Sequence, residues 1–108
     1  MARKSLGDIE QLVLLSILQL GNETYGVPVV EEIEARTGRA VPRAAVYIAL
    51  RRLRQKGLVS SWMSESDPVP GGKAKRYFKV EPDGIEKLAE QRHSLLNMWD
   101  GLQPLLDR

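Results

Sequence analysis

Across residues 9–20 the apolar side chains Ile9, Leu12, Val13, Leu15, Ile17 and Leu20 recur at helical spacing, and the helix they describe is apolar around most of its circumference. A helix of that kind is buried on more than one side. In a chain of 108 residues, which has room for one sizeable core, it either sits centrally or also meets a second subunit. Ser5 and Asp8 have the spacing of a capping box at its start, and Gly21-Asn22 stops it. The apolar run 12–18, interrupted by Ser16, falls well short of the roughly 20 residues of a membrane span. No small-residue cleavage site follows the basic start Met1-Ala2-Arg3-Lys4, so a cytoplasmic protein is expected.

Two more helical periods follow. Thr24 is placed to cap a helix over about 25–36, with Pro28 tolerable in its first turn and Thr37-Gly38 as its stop. Val29, Val30 and Ile33 face inward, while Glu31, Glu32 and Glu34 read as a solvated face and not as an acid–base pair. Pro42 suits the first position of a third helix reaching about Lys56, closed by Gly57. At about 100° per residue, Val46, Ala49, Leu50 and Leu53 form its buried stripe. The opposite face carries Ala44, Tyr47, Ile48, Arg51 and Gln55, flanked by Arg43 and Arg54, and has no acid. An aromatic, an isoleucine, a small residue and arginines together are an odd choice for a face meant only for water.

Residues 58–63 and 75–80 read as strands. In the second, Phe78 and Val80 alternate with Tyr77 and Lys79 as a half-buried strand requires. The connection 64–74 contains Pro68-Val69-Pro70-Gly71-Gly72, too long for a tight hairpin turn and too rich in Pro and Gly for regular structure. Glu81-Pro82-Asp83-Gly84 opens a last helix, with Ile85, Leu88, Leu95, Trp99, Leu102 and Leu106 spaced by three and four around Arg92. Ala89, Leu96, Met98 and Leu105 widen that stripe, and Pro104 must kink or end the helix.

Charge sorts function classes. Residues 36–79 hold eleven basic residues (Arg36, Arg39, Arg43, Arg51, Arg52, Arg54, Lys56, Lys73, Lys75, Arg76 and Lys79) against Glu65 and Asp67. The rest of the chain is acidic, and the whole is only +2. A basic centre between acidic flanks suits a polyanion such as nucleic acid. The absence of Cys removes disulfides, thiol catalysis and Cys-containing zinc sites, and the single His93 removes multi-His metal sites. No nucleophile motif is present, so neither an enzyme nor a metal or cofactor site is expected. Gly72-Lys73 is not a phosphate loop. That motif needs a Gly five residues before Gly72 and a hydroxyl residue after Lys73, where this chain has Asp67 and Ala74.

Helix, helix, helix, strand, long loop, strand, helix is the winged helix-turn-helix order, mainly α with a small β-hairpin. Residues 1–81 form the DNA-binding part and 82–108 a C-terminal dimerisation helix within one compact unit. The third helix fits a major groove about 12 Å wide. Arg43, Arg51 and Arg54 suit phosphates or guanine edges, Ala44 and Ile48 permit close apolar approach, and Tyr47 offers a hydroxyl and a ring. Gly71 and Gly72 let a backbone come close, with Lys73 and Lys75 supplying charge in the wing.

The chain resembles the PadR-like family of bacterial transcriptional regulators. The resemblance is carried by Leu6-Gly7-Asp8-Ile9-Glu10-Gln11-Leu12-Val13-Leu14-Leu15, Tyr25-Gly26, Arg43-Ala44-Ala45-Val46-Tyr47, Leu50, Leu53, Lys56-Gly57-Leu58-Val59, Gly71-Gly72-Lys73-Ala74-Lys75-Arg76-Tyr77-Phe78 and Pro82-Asp83-Gly84. It implies a homodimer that binds a pseudo-palindromic DNA operator, usually as a repressor, and that has the family's short tail of one C-terminal helix. Tyr25 and Arg39 are further candidates for the DNA backbone. Leu88, Leu95, Trp99 and Leu102 are expected at the dimer interface, with help from the first helix. Leu95 and Trp99 would line any pocket for a small aromatic or hydrophobic effector, as some family members sense such compounds at the dimer centre. Pro42 departs from the Ser or Thr cap common in the family, and Pro68-Val69-Pro70 lengthens and stiffens the wing. The rival expectation is a winged helix whose basic face meets an acidic protein partner without DNA.

Overall fold

The computed structural model describes residues 5–65 and 73–107. Its elements are α1 (Asp8–Gln19), α2 (Gly26–Thr37), α3 (Arg43–Gln55), β1 (Val59–Met63), β2 (Arg76–Val80), α4 (Pro82–Trp99) and the short α5 (Gln103–Leu106). This is the expected winged-helix order.

α1 is the hub. Val13, Leu14 and Ile17 are wholly buried, and the helix touches α2, α3, β2 and α4. Its apolar circumference therefore has partners within one chain on every side but one, where Leu15 stays 42% exposed. Val29 and Ile33 of α2 and the stripe Val46, Ala49, Leu50 and Leu53 of α3 close the core beneath it.

The helix stops follow the glycines. Asn22 N–H donates to Ile17 C=O at 2.8 Å and Gly21 N–H to Leu18 C=O at 3.1 Å; Leu58 N–H to Leu53 C=O at 2.9 Å and Gly57 N–H to Arg54 C=O at 3.0 Å repeat the pattern after α3. Both are Schellman closures, each with a glycine in the left-handed region (φ +91° at Gly21, +77° at Gly57).

The helix starts differ from expectation. Gly7, not Ser5, caps α1, and its N–H donates to Glu10 Oε1 at 2.8 Å. The same three-residue spacing is used, shifted by two positions, because Glu10 is the carboxylate that is drawn inward. Tyr25, not Thr24, caps α2. Both backbone groups of Thr24 are taken by Phe78, at 3.2 Å and 2.7 Å, in a bridge along the free edge of β2. The amide of Asn22 extends this edge, accepting from Val80 N–H at 2.7 Å. Pro42 is the cap of α3 and not its first residue; with ψ 135° it lies outside the helix, and its carbonyl accepts from Ala45 and Val46 N–H.

β1 and β2 pair antiparallel with Val59 opposite Val80, Ser61 opposite Phe78 and Met63 opposite Arg76. Val59, Phe78 and Val80 face the core. Ser64 N–H donates to Lys75 C=O at 2.8 Å and Lys75 N–H to Ser64 Oγ at 3.0 Å, closing the hairpin. α4 leaves the sheet at Gly84, where a Cβ would lie 2.5 Å from the Leu58 carbonyl oxygen and 2.8 Å from Val80 Cγ1. Leu88 is buried, and from Arg92 onward α4 is exposed. α4 ends at Trp99, with Gly101 at φ +83°. Pro104 thus neither kinks nor ends it, falling instead in the first turn of α5, where a missing N–H costs nothing.

A partly buried ion pair ties these parts. Lys56 Nζ, at the end of α3, lies 2.8 Å and 3.0 Å from the two Glu10 oxygens and 3.1 Å from the Ser5 carbonyl oxygen. The Glu10 side chain is 9% exposed and that of Lys56 24%. Gln91 Nε2 of α4 donates to the neighbouring Leu6 carbonyl at 3.1 Å. Removing one partner of such a pair strands the other charge. Glu10→Ala is expected to cost about 2–3 kcal/mol in urea unfolding, less than for a fully buried pair because Lys56 is partly wetted. Glu10→Gln, which keeps an acceptor for Gly7, is expected to cost less than Glu10→Ala; a midpoint equal to the parent's for Glu10→Ala would show the pair to be idle. Gly84→Ala is expected to lower stability by about 1–3 kcal/mol through overpacking, read in the same assay.

Candidate nucleic-acid interface

The buried stripe of α3 fixes what its other side presents. With Val46, Ala49, Leu50 and Leu53 anchored in the core, Arg43, Ala44, Tyr47, Ile48, Arg51 and Arg54 are all exposed. Tyr47 is 43% exposed and Ile48 45%, large apolar groups that this chain leaves in water. The Tyr47 ring lies against the first turn of α2, so close that any Cβ at Gly26 would run into it. Gly26 is thus the residue that lets α2 and α3 meet, and it holds Tyr47 at the surface edge.

The hairpin brings a second set of groups beside α3. Tyr25, Gly26, Val27, Tyr47, Lys75, Arg76 and Phe78 enclose a groove of about 300 Å³. The Lys75 ammonium sits 4.4 Å above the centre of the Tyr25 ring. Tyr25 packs on Tyr77 at 5.5 Å between ring centres, and Tyr77 stacks on Trp62 at 6.0 Å. A row of three aromatics therefore crosses the outer face of the sheet and props Lys75 toward α3. Lys73 is exposed. Gly71 and Gly72, also expected in the wing, lie outside the described residues.

Electrostatics divides the basic residues into two groups. Among the described residues the ion pairs are Arg36–Glu32, Arg39–Asp8, Lys56–Glu10 and Lys87–Glu90. Arg36, Arg39 and Lys56 of the basic stretch are thus matched inside the chain. Arg39 lies 3.1 Å from Asp8 at the start of α1, away from the Tyr47 face. Arg43, Arg51, Arg52, Arg54, Lys73, Lys75, Arg76 and Lys79 take no part in those pairs, and most of them border α3 or the hairpin. The cations left over collect where the exposed tyrosine and isoleucine are.

Arg76 is a residue that the sequence reading did not single out. Period-two alternation from Phe78 puts it on the inward face of β2, at the end where that face runs past the core and over α3. Its Nη1 donates to Ser61 Oγ at 3.0 Å, and Arg54 Nη1 reaches the same oxygen at 3.4 Å. The signal was legible as a charged residue in phase with Phe78 and Val80.

On the far side of the molecule, Leu15 and Leu18 of α1 and Ile85, Ala89, Leu95, Leu96 and Trp99 of α4 line an apolar groove of about 470 Å³, edged by Gln11 and Arg92. Leu95 is 49% exposed and Trp99 55%. Leu88 belongs to the core and forms the groove's floor. Leu102 is exposed beyond the end of α4. Among the described residues no helix is long and apolar enough to cross a membrane, and no cluster of His, Asp or Glu is placed to hold a metal ion.

Solved structures share this arrangement. A PadR family transcription regulator from Clostridium difficile superposes with a TM-score of 0.71 at 20% identity, covering 94% of this chain and 96% of that one. A PadR-like transcriptional regulator from Bacillus cereus gives 0.71 at 21%, covering 93% and 92%. A PadR family transcriptional regulator from Eggerthella lenta gives 0.69 at 28%, covering 89% and 81%. No curated protein gives a significant match. The family model of the PadR-like transcriptional regulators matches residues 14–90, spanning the second half of α1, the helix-turn-helix, the hairpin and the buried half of α4. The chain belongs to the PadR-like family of transcriptional regulators, and is a DNA-binding regulator and not an enzyme.

Proposed function

We propose that this regulator is a homodimeric repressor that reads a pseudo-palindromic operator through α3 and grips the flanking backbone with its wing. The observation that carries the reading is the exposed face of α3. It combines Tyr47 and Ile48 with arginines that take no part in the ion pairs among the described residues. On DNA, Arg43, Arg51 and Arg54 neutralise phosphates or bind guanine edges, while Ala44 and Ile48 approach thymine methyls. Lys73 and Lys75, with Gly71 and Gly72, serve the wing. Tyr25 acts as the platform under Lys75. Arg39, tied to Asp8, is the weakest of the candidate backbone contacts.

The exposed apolar face of α4 supports the dimer. Contiguous exposed patches of this kind mark association surfaces, and Leu15 of α1 adds to it. Two copies joined there present two recognition helices to half-sites roughly 34–36 Å apart. The space beside Leu95 and Trp99 is the place for a small hydrophobic effector that relieves repression. The protein works in the cytoplasm, on the nucleoid when bound.

In vitro selection from random duplex DNA, followed by anisotropy at several salt concentrations, tests the reading. An enriched inverted repeat bound with a steep salt slope is expected. Negligible duplex binding at low salt favours the rival, a basic face that meets an acidic protein. Tyr47→Ala and Arg51→Ala are each expected to weaken operator binding by about 1–3 kcal/mol at fixed salt, with helix content and sedimentation unchanged. Parent-like binding by both variants places the recognition face elsewhere. Leu95→Asp with Trp99→Asp is expected to sediment as a folded monomer; an intact dimer moves the interface off α4.

A further inference from the structure

The arginine of the wing strand and the last arginine of the recognition helix converge on one atom. Ser61 lies opposite Phe78 in the hairpin register, so its hydroxyl faces the same side as Phe78 and Arg76. Arg76 Nη1 stands 3.0 Å from Ser61 Oγ and Arg54 Nη1 3.4 Å. The two guanidinium nitrogens are therefore no further apart than these two lengths together. A serine oxygen has two lone pairs, and this pair of donors occupies both. It carries no charge, so it aligns the two cations without neutralising either. Each guanidinium keeps further N–H groups for another acceptor.

Beside this junction lies a notch of about 180 Å³. Its walls are Tyr47, Arg51, Arg54 and Arg76, and its floor is Leu50 and Phe78. Leu50 is 1% exposed and Phe78 6%. Three cations and a phenol around an apolar floor, with no carboxylate lining it among the described residues, make a receptor for an oxyanion. Guanidinium forks suit a tetrahedral phosphate, which accepts from two of them at once.

We propose that Arg54 and Arg76, aligned by Ser61, form a single seat for one DNA backbone phosphate, so that the recognition helix and the wing strand hold the same phosphate in each half-site. The inference rests on the DNA-binding reading above. A shared phosphate makes the angle between wing and helix depend on the DNA: the anion relieves the repulsion between the two guanidiniums, and the hairpin settles against α3 when it binds. The two arginines then act as one contact and not as two.

The test uses the full chain and the duplex recovered by selection, with a neutral methylphosphonate placed at each backbone position of one half-site in turn. Binding is read by anisotropy for the parent, Arg54→Ala, Arg76→Ala and the double variant. One position is expected to cost the parent about tenfold in affinity, the worth of one charge-assisted contact. At that position the penalty shrinks in both single variants and vanishes in the double variant, while penalties elsewhere persist. The salt slope of the double variant falls by about two phosphates for the whole operator, one in each half-site, and not four. Arg54→Lys and Arg76→Lys, which keep the charge but lose the fork, replace any alanine variant that fails to fold, and the same shrinkage at one position is expected of them. The proposal is overturned if the two arginines couple to different phosphates, if neither couples to any, or if the double variant loses about four units of slope, two in each half-site. A parent that binds no unmodified duplex overturns the DNA reading itself, and is told apart by the first titration.

Discussion

Two segments that are far apart in the chain meet at the Glu10 carboxylate. It takes the N–H of Gly7 at the start of α1 and the ammonium of Lys56 at the end of α3, and Lys56 also reaches the Ser5 carbonyl. The pair is only partly buried, so its net contribution to stability is small beside the cost of breaking it. What it supplies is direction. Hydrophobic contact between α1 and α3 is tolerant of sliding, because apolar surfaces gain similar energy in several registers. A carboxylate that must meet one ammonium and one amide permits a single register. The exposed face of α3 is aimed by this constraint, together with the stripe from Val46 to Leu53 that it locks in place. Gln91 of α4 holds the adjoining Leu6 carbonyl, so the helix that carries the outer apolar surface is anchored within a few residues of the same point.

The same economy governs charge. A small chain with sixteen basic and fourteen acidic residues is nearly neutral overall, yet the matching is not spread evenly. Lys56, Arg39 and Arg36 find acids in α1 and α2. Among the described residues, the arginines of the exposed α3 face and of β2 do not. Surface pairs contribute little to folding, so this arrangement costs the fold little, and it leaves a strong local field at one surface for an external polyanion.

Much of this was legible in the sequence, and the misses at helix starts share one cause. The stops of the first three helices were readable because a glycine at positive φ acts alone, as at Gly21, Gly38 and Gly57; the end of α4 at Trp99, ahead of Pro104, was not. The buried stripes were readable because they repeat. Helix starts were not, because a capping group is chosen by competition. Ser5 and Thr24 have the right chemistry for a cap, but a tertiary partner decided each case: Lys56 drew Glu10 inward and made Gly7 the cap, and Phe78 took the backbone of Thr24 for the sheet edge. Arg76 was counted only among the basic residues for a related reason. Its phase with Phe78 was legible, but its meeting with Arg54 at Ser61 crosses an element boundary, and no local pattern registers that. The exposed face of α3, with its tyrosine, isoleucine and arginines, was visible from the start because a helix face is a local object.

The pair of hydrogen bonds between Ser64 and Lys75 has a consequence for how this protein can change. They seal the ladder at the root of the loop, so the registration of β1 against β2 is settled before the connecting chain is reached. The cost of closing such a connection grows only slowly with length, about 0.6 kcal/mol for each doubling. Residues between these two anchors can be added, removed or exchanged while the core and the aim of α3 stay as they are. The connection is thus a module on a sealed base, and its sequence can vary without disturbing the helix beside it.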